Sequence, residues 1–153
     1  MERTGRIFKF LKEHELDCIA IKDACTIRYL TGFTGDSSVL YADDRKVILI
    51  TDGRYTEQAR SQVKYCRVLE YKANHNNSIW EAVAEQIGDR HKAGFDGDWF
   101  SYEEARVLKE LLPAEVEMIS VSLGSLRMVK DDRELKSLWT VSYTHLTLPT
   151  NRE

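Results

Sequence analysis

The feature that most constrains the fold is KVILI at residues 46–50, where four large apolar residues follow one lysine. A strand covered on one face alternates apolar and polar residues, whereas a strand buried on both faces is apolar throughout. The run therefore predicts a strand inside a sheet that is packed on both sides. Helical patterns alternate with strand patterns along the chain, and together these favour a three-layer α/β domain.

The remaining elements are predicted from periodicity and from stop signals. Residues 7–14 place apolar side chains and a histidine on one helical face. The pattern S-x-x-E at 78–81 and 101–104 predicts two helices that begin with capping boxes, and Pro113 ends the second. Further strands are predicted at DCIAI, SSVLYAD, YCRVLEY, AGFD and VEMISVS, and a further helix at GRYTEQARSQV. SSVLYAD and KVILIT, separated by a short polar turn, are expected to form a hairpin.

Length and charge exclude several classes of function. A chain of 153 residues is expected to form one domain, and its net charge of −3 comes from interspersed acidic and basic residues. No basic stripe indicates a nucleic-acid surface, and no apolar run is long enough to span a membrane. The three cysteines have no zinc-like or C-x-x-C spacing, which favours free thiols in a reducing compartment. We therefore expect a cytoplasmic protein that binds neither nucleic acid nor membranes.

The first candidate site is the loop YLTGFTGDSS at residues 29–38. Gly32 and Gly35 bracket Phe33 and Thr34 between a short helical stretch and a strand. Such a loop places backbone N–H groups and an aromatic ring close to a ligand. The alternative is a tight helix-to-strand turn in which Phe33 fills the core, and spacing alone favours that alternative.

The second candidate site is TDGRY at residues 51–55, where a strand ends and a helix is predicted to begin. Ligands in α/β proteins commonly bind beyond the carboxyl ends of strands, and Arg54 has the geometry to hold a carboxylate through two hydrogen bonds. In the alternative interpretation Asp52 caps the helix and Arg54 pairs with Asp52. The pattern alone favours this structural role.

No complete catalytic constellation is present in the sequence. The four histidines lack the spacing of metal ligands, and no serine lies in a G-x-S-x-G motif. Asp96 and Asp98 of FDGDW are interpreted as turn-forming residues. The sequence therefore predicts no catalytic and no metal-binding residue in this chain.

Several of these segments together resemble a known family. IRYLTGFTGDSSVLYADDRKVILITDGRYTEQAR is similar to the N-terminal, creatinase-type domain of Xaa-Pro aminopeptidases and Xaa-Pro dipeptidases. The resemblance covers about residues 3–139, because LRMVKDDRELKSL is also similar to the junction that leads into the catalytic half of these enzymes. YLTGF-TG and TDGRY, in this order and joined by two strands, are specific as a pair and weak when taken singly.

The resemblance implies a mixed sheet flanked by helices, with a ribonuclease-H-like motif. It also implies a second domain that holds two divalent metal ions, manganese or cobalt, through two aspartates, a histidine and two glutamates. In the family the N-terminal domain helps to form a homodimer and covers the active site, where proline-containing peptides are cleaved. Phe33, Asp36, Ser37, Arg54 and Tyr55 are the positions that the resemblance places near substrate. No segment of this chain matches the metal-binding domain, so the resemblance implies that the chain alone is inactive.

The resemblance divides the chain into three parts. Residues 1–125 are expected to form the creatinase-type domain, residues 126–140 a linker and the start of a helix, and residues 141–153 a non-native tail. The tail VSYTHLTLPT is similar to one reading frame through the end adapter of transposon-based DNA library preparation, and the alternative is a disordered natural tail. Two other interpretations of the whole chain stay open. In the first, the longer parent protein to which this chain belongs is a creatinase-like C–N hydrolase. In the second, the chain is a free-standing binding or dimerisation module.

Overall fold

The computed structural model of the protein describes residues 3–72 and 78–146, with side chains described as far as Tyr143. Six strands and seven helices lie in these two ranges. The strands are β1 (Cys18–Ile21), β2 (Ser38–Asp43), β3 (Val47–Thr51), β4 (Arg67–Glu70), β5 (Lys92–Asp96) and β6 (Glu117–Val121). The helices are α1 (Thr4–Glu13), α2 (Ala24–Thr31), α3 (Thr56–Gln62), α4 (Ile79–Ile87), α5 (Tyr102–Leu111), α6 (Gly124–Met128) and α7 (Asp132–Leu146).

All six strands form one mixed sheet in the order β4-β3-β2-β1-β5-β6. The predicted hairpin is present, since β2 and β3 pair antiparallel with Leu40 opposite Leu49. Strand β1 is antiparallel to β2 but parallel to β5, with Cys18 opposite Ala93. Because β6 is also parallel to β5, the carboxyl ends of β1, β5 and β6 meet at one edge of the sheet.

Helices cover both faces of this sheet, as the apolar run at 46–50 predicts. Val47 and Leu49 pack on one face against residues of α1, α2, α3 and α6. Ile48 and Ile50 pack on the other face against residues of α4 and α5. All four side chains are buried, and burial of each stabilises the fold by about 1.5–3 kcal/mol. The mixed α/β sheet flanked by helices is thus confirmed.

Local signals fix where several helices begin. The predicted capping box of α5 is present, since the Glu104 N–H donates to Ser101 Oγ at 3.2 Å and the Ser101 N–H donates to the Glu104 carboxylate at 2.9 Å. The predicted box at residues 78–81 is also present. For α7, Asp131 accepts from the N–H groups of Arg133 and Glu134, both at 3.0 Å, and so acts as the N-cap.

Three segments differ from the prediction. Helix α3 begins at Thr56 instead of Gly53, because residues 52–55 form a hydrogen-bonded turn. Gly124–Met128, which includes the first part of the expected linker, forms helix α6, and buried Leu126 anchors it. Helix α7 is longer than the helix start predicted within residues 126–140, since it continues to Leu146, and valine and threonine weaken a helix by only a few tenths of a kcal/mol each. The assignment of residues 141–153 as a non-native tail stays a prediction.

Several predictions fall outside the described part of the chain. His75 and residues 147–153 lie outside it, and so does the side chain of His145. Near the end of the described part, Trp139 is 63% and Tyr143 is 61% exposed. Within the described ranges no helix is both long and apolar enough to cross a bilayer.

Candidate functional site

The hairpin brings the two candidate segments together. Ser38 at the start of β2 lies opposite Thr51 at the end of β3, so the loop before β2 is adjacent to the turn after β3. We call residues 32–37 the glycine loop and residues 52–55 the Asp-Arg turn. Tyr55 joins the two segments, because its hydroxyl donates to Asp36 Oδ1 at 2.7 Å.

The glycine loop depends on its glycines and on a buried ring. Gly32 has φ +83°, a left-handed conformation that ends α2 and that other residues rarely adopt. A Cβ on Gly35 would lie 2.3 Å from Cζ of Phe33. Phe33 is fully buried and contacts the Tyr55 ring edge-on, with 6.2 Å between ring centroids. Phe33 therefore fills the core beneath the loop, as the structural alternative proposed, and it supports Tyr55 from below.

In the Asp-Arg turn the carboxylate of Asp52 and the guanidinium of Arg54 form a salt bridge. Asp52 is 7% exposed and accepts from Arg54 Nη2 at 2.7 Å and from the Arg54 N–H at 2.9 Å. Ser37 Oγ donates to the same carboxylate at 3.3 Å. The Arg54 guanidinium lowers the pKa of Asp52, and the hydroxyl of Ser37 acts in the same direction. Arg54 thus pairs with Asp52, but Asp52 closes the turn and does not cap α3 through its side chain.

The joined segments form a polar surface. Asp36 and Arg54 are exposed, and Tyr55 lies between them. Among the described residues no three His, Cys, Asp or Glu side chains are arranged to hold a metal ion. The described residues therefore do not fit the two divalent ions that the family resemblance implies. The chemistry available at this surface is the binding of charged groups, with one carboxylate and one guanidinium as the ligands.

A second polar cluster lies where β1, β5 and β6 end, and the sequence did not indicate it. Asp96 is the last residue of β5 and is 1% exposed, so it does not lie in a loop, but its carbonyl accepts the Trp99 N–H at 3.1 Å and so begins the predicted turn. Its Oδ2 accepts the Asp23 N–H at 3.2 Å, while its Oδ1 has no partner among the described residues. Burial raises the pKa of Asp96 to about 6.

Arg127 also belongs to this second cluster and comes from residues 126–138, which we call the junction segment. Its Nη2 lies 2.9 Å from Oδ2 of Asp23, which is 1% exposed and also caps α2. The contact links residues that are 104 positions apart. The signals in the sequence are Asp23, two residues after the predicted strand DCIAI, and Asp96, the last residue of the predicted strand AGFD, and aspartates in such positions also form turns.

Comparison with known proteins identifies the domain. The sequence matches the creatinase/prolidase N-terminal domain over residues 3–129. It is 31% identical over 126 residues to the uncharacterized peptidase YqhT of Bacillus subtilis, and the match covers 80% of this chain and 35% of that protein.

Solved structures agree with the sequence match. The Xaa-Pro dipeptidase of Bacillus anthracis superposes with a TM-score of 0.78 at 28% identity, over 95% of this chain and 42% of that chain. The N-terminal domain of the cytoplasmic peptidase PepQ of Mycobacterium tuberculosis H37Rv gives 0.72 at 27% identity, over 82% of this chain and 98% of that domain. This chain therefore spans about a third of the length of the curated relative and corresponds in extent to the separately solved N-terminal domain. The chain belongs to the creatinase/prolidase N-terminal domain family.

Proposed function

We propose that this chain is the non-catalytic N-terminal domain of a longer peptidase that hydrolyses Xaa-Pro bonds at peptide N-termini. One observation carries the proposal: the family match fills residues 3–129, while the chain covers only 42% of the Xaa-Pro dipeptidase of Bacillus anthracis. A cytoplasmic location for the parent is part of the proposal, and the Mycobacterium tuberculosis relative, described as a cytoplasmic peptidase, supports it.

The proposal assigns the metal ions to another part of the parent protein. The described residues offer no cluster of three ligands. We therefore place the two divalent ions, manganese or cobalt, in a second domain whose two aspartates, histidine and two glutamates lie outside this sequence. When bound there, such a metal pair would supply the activation of water that peptide hydrolysis needs. The chain alone is expected to hydrolyse no Xaa-Pro substrate.

Within the parent, the glycine loop and the Asp-Arg turn are proposed to cover the active site. Phe33 and Tyr55 hold the surface rigid, so that Asp36 and Arg54 occupy fixed positions. Arg54 is three-quarters exposed although it is paired, and its guanidinium is therefore accessible to a peptide carboxylate. Ser37, bonded to the same aspartate as Arg54, keeps the carboxylate oriented. Dimerisation of the parent through this domain completes the proposal.

Sequencing of the source DNA across codon 140 tests whether a catalytic half exists. The expected reading frame continues past Trp139 into a segment that encodes two aspartates, a histidine and two glutamates. A genomic frame that encodes VSYTHLTLPTNRE and then stops would remove the basis of the proposal. The chain would then be a free-standing α/β module.

Kinetics of the full-length parent test the covering role. Arg54→Gln is expected to raise KM for Xaa-Pro dipeptides about tenfold while kcat changes little, because one charge-assisted contact is worth about 1.5–3 kcal/mol. Arg60→Gln removes an exposed arginine from α3 and is the matched control. Equal kinetics for the two variants would exclude a substrate contact by Arg54. Sedimentation of the same proteins reports whether the parent is a dimer.

A further inference from the structure

A groove with a positive lining lies on the side of the domain where α1, α2 and α7 approach the segment before β4. We call it the basic groove, and its volume is about 760 Å³. Its charged lining residues are four cations and two acids: Arg3, Arg28, Lys64, Arg133, Asp131 and Asp132. The lining is thus net positive on a chain of net charge −3.

The two acids of the lining balance only half of this positive charge. Arg3 pairs with Asp131 at 2.7 Å, which uses one of the two acids. Within the described ranges, Arg28, Lys64 and Arg133 form no salt bridge. Cations that line one concave surface repel each other, and they raise the local concentration of anions.

Two buried hydroxyl groups at the groove also lack partners. Thr4 and Tyr29 line the groove and are 5% and 7% exposed. Neither the Thr4 nor the Tyr29 hydroxyl oxygen has a hydrogen-bond partner among the described residues. A buried hydroxyl without a partner costs about 1–3 kcal/mol, so such groups normally bond to a residue, a water or a ligand. Arg3 also lines the groove, and its guanidinium lies 4.5 Å from the centre of the Tyr29 ring.

We propose that the basic groove binds a small multivalent oxyanion of the phosphate-ester class. The lining is rich in N–H and O–H donors, which suit phosphate oxygens, and three unpaired cations match a ligand that carries more than one negative charge. The volume lies in the range of small-molecule sites, which favours a compact ligand over a nucleic-acid strand. The proposal does not depend on the proposed peptidase function.

The carboxyl end of α2 also lines the groove and opposes anion binding. Helix C-termini carry partial negative charge, and Gly32 at this end belongs to the lining. The nearby Tyr29 carbonyl accepts from Arg3 Nη1 at 3.5 Å, which offsets part of that charge. A helix end contributes about half an elementary charge, whereas the four cations and two acids of the lining contribute a net charge of +2.

Calorimetric titration of the 153-residue chain with pyrophosphate, at ionic strength matched with sodium chloride, tests the proposal. The groove variant is Arg28→Gln/Lys64→Gln/Arg133→Gln. It is expected to bind pyrophosphate about 30-fold more weakly, roughly threefold for each charge removed at low salt. Binding that is not saturable in the unmodified chain would overturn the proposal.

The control variant Lys12→Gln/Arg60→Gln/Lys136→Gln loses the same three charges from exposed positions outside the groove. Its affinity for pyrophosphate is expected to stay within about threefold of the unmodified chain, because none of the three side chains lines the groove. Equal weakening of the two triple variants would show a general charge effect and overturn the site.

Two hydroxyl variants give a readout that does not require removal of charge. Tyr29→Phe and Thr4→Val remove hydroxyls that lack partners, so the melting temperature without anion is expected to hold or rise. Pyrophosphate affinity is expected to fall about threefold or more in each variant, and no change in either would overturn the role of the hydroxyls. Tighter binding of citrate would overturn the phosphate assignment in favour of a carboxylate, and tighter binding of a thymidine decanucleotide would favour a nucleic acid.

Discussion

Substitution of Asp96 by asparagine is predicted to stabilise the domain at neutral pH. The Asp96 carboxylate is 1% exposed, and one of its oxygens has no partner among the described residues. Asparagine keeps an acceptor for the Asp23 N–H and removes the buried charge. Its amide group takes the place of the unpartnered oxygen.

The raised pKa sets the size and the sign of the effect. Burial raises the pKa of Asp96 to about 6, against a value of 3.8 for the unfolded chain. Because the pKa is raised, ionisation of Asp96 destabilises the folded domain. This loss of folding free energy is absent below pH 3.8 and complete above about pH 6. The difference corresponds to at most about 3 kcal/mol. An unpartnered amide donor offsets part of this gain, so Asp96→Asn is expected to add about 1–2 kcal/mol at pH 7.5.

Urea unfolding followed by tryptophan fluorescence measures this effect. The gain in the free energy of unfolding for Asp96→Asn should be largest at pH 7.5 and should approach zero near pH 4. Asp89→Asn, at an exposed position after α4, is the control and should change stability by less than about 0.5 kcal/mol. A loss of stability in Asp96→Asn at pH 7.5, or a gain that does not depend on pH, would refute the reasoning.

Two further predictions concern packing and a buried ion pair. Gly35→Ala is expected to destabilise the domain by about 2–3 kcal/mol, because the new Cβ would displace buried Phe33. Gly5→Ala, which has open space around it in α1, should leave the stability unchanged or raise it. Urea unfolding of both variants measures the two effects, and similar free energies of unfolding would contradict the prediction. Arg90→Met removes the guanidinium 2.9 Å from fully buried Asp43 and should cost about 2–3 kcal/mol at pH 7. Burial opposes ionisation of Asp43, but two backbone N–H groups and Arg90 outweigh it and lower its pKa. This stabilisation is therefore lost as pH falls, so the Arg90→Met deficit should shrink in acid, and a deficit that is constant in urea titrations from pH 7 to pH 3.5 would exclude the ion pair as its cause.

Much of the architecture could be predicted from short stretches of sequence, because the forces that set it act locally. Residues 46–50 indicate a doubly covered strand, since only such a strand is apolar on both faces. Ser101 and Glu104 mark the start of α5 because a capping box involves residues three apart. The pairing of YLTGF-TG with TDGRY also follows from the chain, because a hairpin necessarily brings its two ends together.

The second cluster and the basic groove could not be predicted, because they depend on tertiary contacts between distant residues. Buried Asp96 accepts the N–H of Asp23, and Arg127, 31 residues further along the chain than Asp96, binds the carboxylate of the same Asp23. The cations of the basic groove are spread from Arg3 to Arg133, and acidic residues separate them in the sequence. A uniform charge pattern along the chain is therefore compatible with a concentrated positive surface on the folded domain.

The central position of β1 has a consequence for the order in which the domain is assembled during synthesis. Cys18 pairs with Asp43, 25 residues later, on one edge of β1, but with Ala93, 75 residues later, on the other. At a ribosomal rate of about 5–20 residues per second, the second partner follows β1 by about 4–15 s. During that interval β1, β2 and β3 form a sheet whose free edge is β1, and β1 is apolar throughout. The nascent chain is thus most open to strand addition and to chaperone capture at Cys18–Ile21, until β5 emerges and closes that edge.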